Sequence, residues 1–213
     1  MKVKITLIIA FISITLFSFA QKKAFNASVF LGFNGIHIEG DNEVLYNSNN
    51  GTIWGTGGIT AGLSVKRNFT NSLYWTFDLR YIRKGSIYEF TNIQGVQDFE
   101  SIKLYYAELP VLIGYTSNTR KYNIYLELGA SVAKLINSEK LISDFSYGQD
   151  ISLFDQFRDY DYSILGAAKL SLRKHPRFLF GIRVSRSVRS IHNVYQLYNF
   201  DYGLEFSYYF NSK

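Results

Sequence analysis

The feature that most restricts this chain is a two-residue alternation sustained over segment after segment. Its last instance is the plainest: Tyr198, Phe200, Tyr202, Leu204, Phe206, Tyr208 and Phe210 alternate with Asn199, Asp201, Gly203, Glu205 and Ser207. Successive side chains of a strand point to opposite faces, whereas a helix repeats about every 3.6 residues, so this period predicts strands. Eight such segments are expected, at about Phe25–Ile38, Thr56–Lys66, Ser72–Tyr88, Ser101–Thr116, Tyr122–Lys134, Asp159–Arg173, Arg177–Ser190 and Tyr198–Phe210. In the first, Phe25, Ala27, Val29, Leu31 and Phe33 share one face, and on the other Phe30 is the exception among Asn26, Ser28, Gly32 and Asn34.

The connections choose between ways of packing eight strands. Short turns are expected at 67–71, 117–121 and 174–176, and long polar connections at Glu39–Gly55, Glu89–Glu100, Ile136–Arg158 and Ile191–Leu197. Long and short strictly alternate, as in an up-and-down transmembrane barrel with short periplasmic turns and long extracellular loops; a sandwich has no reason to keep that order. From Tyr105 to Tyr115 a strand tilted near 40° covers roughly 25 Å, the height of a lipid-facing band. Aromatic residues fall at both ends of that span: Tyr81, Tyr105, Tyr160, Tyr162, Tyr198 and Phe200 at one, Trp75, Tyr115, Tyr122, Phe178, Tyr208 and Phe210 at the other. Such rings suit a membrane boundary because one end is apolar and the other stays wet. The expected fold is therefore all-β, an eight-stranded antiparallel outer-membrane barrel occupying 21–213.

The first 20 residues read differently. Lys2 and Lys4 precede an apolar run from Ile5 to Phe17, and Ser18-Phe19-Ala20 ends it with small residues two apart. That is the pattern of an export signal, with cleavage expected after Ala20, and the run is short for a spanning helix. The chain has no cysteine, so neither disulfides nor a lipidated cysteine enters. With 17 Tyr and 18 Phe against 2 Pro, its composition suits strands that are apolar on one face. The net charge of +6 is scattered, and an exported chain would not meet nucleic acid.

If the apolar face meets lipid, the opposite face carries Asp78, Arg80, Glu108, Glu127, Lys169, Arg173, Arg183, Asp201 and Glu205. Eight strands enclose a space that side chains nearly fill, so these charges are expected to pair into an internal network. A polar ion path is the alternative. Catalytic and cofactor signals are thin. His37 near Glu39, with Ser190 or Ser86, is the only combination resembling a membrane-surface hydrolase site, and no motif spacing supports it. His175 lies in a turn and His192 in a loop. No histidine pair has metal-ligand spacing, and the loop acids Asp41, Glu43, Asp144, Asp150 and Asp155 follow no calcium-loop pattern. Gly55-Thr56-Gly57-Gly58 lacks the ending of a phosphate loop. The expected role is a non-enzymatic outer-membrane component in contact with lipid, meeting an envelope or extracellular protein partner through 136–158. That loop carries Phe145, Tyr147, Phe154 and Phe157; a fold-back plug is its other reading.

One strand carries a resemblance. Tyr105-Tyr106-Ala107-Glu108-Leu109-Pro110-Val111-Leu112-Ile113-Gly114-Tyr115 resembles the tyrosine–glutamate–apolar–proline strand of PorT-like outer-membrane barrels of Bacteroidetes-type bacteria. The Phe-Ala-Gln ending of the signal and the C-terminal Leu204–Phe210 also look like that group. The resemblance implies a barrel domain, and no single activity, since that family is functionally mixed and its namesake serves a secretion and gliding-associated system. Pro110 cannot donate to a ladder, so a bulge or broken inter-strand bond is expected there.

Overall fold

The computed structural model describes the backbone of residues 25–40, 52–91, 97–143, 150–151 and 156–210, with side chains within 25–40, 55–88, 101–139 and 156–210. The expected export signal and the acids Asp41, Glu43, Asp144, Asp150 and Asp155 lie outside the described side chains. Eight long strands form: β1 (Phe25–Gly40), β3 (Thr56–Asn68), β4 (Leu73–Thr91), β5 (Gln97–Asn118), β6 (Tyr122–Ser143), β8 (Tyr160–Leu172), β9 (His175–Ser187) and β10 (Leu197–Tyr209). Two short ones, β2 (Thr52–Trp54) and β7 (Asp150–Ile151), pair with β4 and β6.

Each long strand pairs antiparallel with its chain neighbours, and β1 pairs with β10, so the sheet closes. A closed sheet has no free edge. Following the register from Ala27 through Val65, Phe77, Val111, Ala130, Ile164, Arg186 and Phe200 returns to β1 at His37 instead of Ala27. That stagger is the shear that tilts the strands in a barrel.

Two long connections are corrected. Within Glu89–Glu100, residues up to Thr91 and from Gln97 are strand, and within Ile136–Arg158, β6 continues to Ser143 and pairs with β5 as far as Phe99. The β4, β5 and β6 ladder thus overshoots the others as a ridge. The alternation weakens there because the outward residues, Lys103, Asn137 and Glu139 among them, are no longer apolar. Pro110 keeps register with Ser131 on β6, while the β4–β5 ladder lapses between Phe77↔Val111 and Arg80↔Glu108. The bulge itself falls at Tyr105/Tyr106.

Facing follows the alternation. Leu63, Val111, Leu128, Phe180 and Leu204 are exposed on the outer wall, and Thr60, Asp78, Glu108 and Glu205 are buried inside. Phe30 is an apolar side chain turned inward beside the charges, its ring lying 4.3 Å from the Arg80 guanidinium carbon. At that range an aromatic face adds to the attraction on a desolvated cation.

Candidate functional site

The barrel interior has three levels between the short-turn end and the long-loop end. The middle level is ionic. Arg80 on β4 reaches Glu205 at 2.7 Å, Asp78 at 3.4 Å and Glu108 at 3.8 Å. Arg183 on β9 lies 3.4 Å from Glu108 and 3.8 Å from Asp78. Lys84 sits 3.0 Å from Asp161, with Asp201 at 3.9 Å and Glu108 at 4.0 Å. Lys169 joins Glu127 at 3.0 Å to Glu205 at 3.2 Å. Hydroxyls add donors to three of the carboxylates: Ser131 donates to Glu108 at 2.6 Å, Tyr74 to Glu127 at 3.0 Å, and Ser185 to Asp201. Each charge meets several partners, the condition under which buried ions are tolerable.

Arg173 does not belong to this network. It follows the end of β8, beside a register irregularity at Leu170/Leu172, and is exposed in the turn, where its Nη1 reaches the Thr119 carbonyl at 3.5 Å. Simple alternation places it inward, but the strand ends one residue earlier, at Leu172. Conversely, Lys84, Asp161 and Asn199 belong to the network and the alternation could have found them: each has the inward parity of its strand. Asn199 donates to Asp161 at 3.0 Å.

The level toward the long loops is apolar. Ile38, Ile82, Tyr88, Ile102, Leu104, Tyr106 and Leu135 form one buried cluster inside the barrel mouth. Residues 156–159 and 188–196 fold over it. Phe157 bridges to His192 as an isolated β-pair, packs edge-on against its ring at 5.3 Å, and is buried in the same cluster as Ile191 and Leu197. Phe157 is therefore part of a plug, which corrects its reading as a partner-binding residue; Phe145, Tyr147 and Phe154 lie outside the described residues. His192 is a structural cap: its Nδ1 accepts from the backbone N–H groups of Val194 and Tyr195, each at 3.1 Å. Burial, then the nearby Arg158 charge, lowers its pKa from the ordinary value.

The histidine combination does not assemble. His37 Nε2 lies 3.2 Å from Glu39, and Glu39 is held by Arg186 at 3.0 Å, all on the outer wall. Ser86 is buried inside the barrel, and Ser190 spends its hydroxyl on the backbone carbonyls of His192 and Tyr195. Among the described residues no group of histidines and carboxylates has metal-site geometry.

The level at the short-turn end is open. A vestibule of about 730 Å³ lies there, lined by Lys66, Tyr125 and Tyr209 among others.

With this geometry in hand, comparison with known proteins is informative at the level of fold. The family described as outer membrane protein beta-barrel domain matches residues 19–193. No curated protein matches the chain. Among solved structures, it is similar to the attachment invasion locus protein Ail of Yersinia pestis in complex with a heparin analogue, at 16% identity and TM-score 0.45, covering 88% of this chain and 99% of that one. OprG of Pseudomonas aeruginosa gives 14% identity and TM-score 0.45, covering 89% and 98%. The outer membrane enzyme PagL gives 12% identity and TM-score 0.42, covering 86% and 98%.

Proposed function

This chain belongs to the outer membrane protein β-barrel domain family, and we propose that within the bacterial outer membrane it acts as a non-enzymatic, non-conducting binding protein whose long-loop end faces outward. The observation that carries this reading is the filled interior. An ionic level and an apolar level lie in series across the barrel, and an ion crossing either would have to leave water. The overshooting β4–β6 ridge supplies a rigid outer platform. Its outer wall presents Lys103, Tyr105, Asn137 and Glu139, with Tyr105 donating to Glu139 at 3.3 Å and Asn137 to Glu139 at 3.2 Å. Binding groups held on strands are positioned more firmly than groups on loops. A protein partner from the envelope or the exterior would dock there. The Tyr105–Tyr115 strand supports placing the chain in the PorT-like branch, and the leading 20 residues support export by a cleaved signal.

The chain lacks cysteine, so a single introduced thiol reports cleanly. Asn137→Cys should be labelled on intact cells by a membrane-impermeant maleimide, and Asn118→Cys only after lysis. The reverse pattern would invert the orientation. In planar bilayers the purified protein should give no unitary conductance; discrete, reproducible steps would favour the channel reading instead.

A further inference from the structure

The vestibule at the short-turn end holds a group that the described residues leave without an acceptor. Lys66, on β3, is only 8% exposed. Its ammonium sits 3.8 Å from the Tyr74 ring centroid and 4.3 Å from that of Tyr125. Those two rings meet edge-on at 6.1 Å and clamp it from the sides. Gly114 permits the clamp, since a Cβ there would overlap the Tyr74 ring. Yet no hydrogen bond or ion pair to Lys66 forms among the described residues. The nearest acid, Glu127, is already held by Lys169 at 3.0 Å and by the Tyr74 hydroxyl at 3.0 Å. Two aromatic faces offset part of the cost of burying an ammonium, but they supply no oxygen for its three N–H donors.

The surroundings point to what supplies one. Asn26, Asn68, Asn71 and Asn118 line the vestibule with Lys66 and Arg177, and among the described residues no aspartate or glutamate lines it. An acid-free chamber with a clamped ammonium favours an anion. Its volume, about 730 Å³, falls in the range of small-ligand sites of about 300–1,000 Å³ and far exceeds a simple ion. Carboxamides both donate and accept, which matches the alternating N–H and C=O of a peptide main chain better than the acceptor-only edge of an inorganic anion.

We infer that this vestibule is a binding site for the free carboxylate of a short peptide on the periplasmic side, with Lys66 pairing the carboxylate and the asparagines reading the adjoining amides. This goes beyond the outward-facing role proposed above and uses the opposite end of the barrel.

The test is a titration of the whole protein, folded in detergent micelles, with N-acetyl-trialanine bearing a free carboxylate and with the same peptide as its C-terminal amide. The acid should bind at least tenfold more tightly than the amide. Lys66→Gln should erase that preference and Lys66→Arg should retain it. Because Lys66 is buried, folding of each variant is checked by the heat-dependent gel shift. Asn71→Asp/Asn118→Asp at exposed turn positions gives an independent arm: the added negative charge should weaken the acid several-fold more than it weakens the amide. Equal binding of acid and amide by the parent overturns the inference, as does an undiminished preference in Lys66→Gln. A neutral disaccharide of N-acetylglucosamine binding more tightly than the peptide acid would also overturn it, by assigning the asparagines to sugar hydroxyls.

Discussion

Strand β5 is two proteins end to end. From Glu108 to Ile113 its outward residues Leu109, Val111 and Ile113 are apolar and Glu108 points into the ionic level, whereas from Ile102 to Tyr106 the inward residues are apolar and the outward ones are Lys103 and Tyr105. Strand β1 does the same, with Phe33 outside and Ile36 and Ile38 inside. In these two strands the facing parity holds throughout; only the chemistry on each face changes. Lower down, lipid is the cheap place for apolar side chains and the interior must take the charges. Higher up, water surrounds the wall and the interior becomes an ordinary hydrophobic core. The same barrel is thus inside-out in the membrane and right-side-out above it.

Substitutions that move one chemistry into the other region should expose this contrast. The largest effect is expected in the ionic level. Glu108→Gln keeps the shape but strips a charge that Arg80, Lys84 and Arg183 share, and should cost about 3–5 kcal/mol. Denaturant titration of the barrel in lipid vesicles measures it, and a loss under about 1 kcal/mol would mean the ionic level is loosely coupled.

Next come two leucines on one strand. Leu104→Ala, inside the apolar level, should cost about 2–5 kcal/mol, because it leaves a cavity in a packed core. Leu109→Ala, outward and partly exposed, should cost much less, since lipid chains fill the space. Equal losses in the same titration would erase the distinction between the regions.

The lipid wall itself gives a further contrast. Leu126→Arg or Leu204→Arg, both on exposed mid-strand positions, should destabilise insertion by about 2–4 kcal/mol. Lys103→Leu, on the outer wall of the ridge, should change stability by no more than about 0.5 kcal/mol. Refolding yield and the heat-dependent gel shift report both. Arginine accepted at 126 and 204 without cost would remove the lipid from the outer wall.

The smallest effect is local and depends on pH. The pKa of His192 is lowered in the fold, so the unfolded plug binds a proton before the folded one does. Its contribution is complete above the ordinary histidine pKa, about 6.5, and is lost as pH falls from there through the lowered folded value. Protonated Nδ1 cannot accept from Val194 and Tyr195. Protection of those two amides, with the intrinsic pH dependence of exchange divided out, should therefore fall between pH 7 and pH 5, while amides of the ionic level stay protected. Unchanged protection at Val194 would show that the Nδ1 bonds are dispensable to the plug.

Sequence alone determined the strands of the membrane band, their facing and their closure into an even-numbered barrel, because lipid on one side imposes an unbroken two-residue code and every backbone group must be paired within the sheet. It also placed Asp78, Arg80, Glu108, Glu127, Lys169, Arg183, Asp201 and Glu205 on the inner face. Tertiary structure alone decided which of them meet, since Arg80 and Glu205 stand 125 positions apart and touch only because β10 closes on β1 and carries its carboxylate across the interior. It decided the length of the ridge, whose outer face is wetted and so carries no apolar code, and the exclusion of Arg173, which hangs on a single residue of strand end. And it left Lys66 between two tyrosines without an acid, a circumstance invisible in a chain where that lysine reads as one more polar residue of an alternating strand.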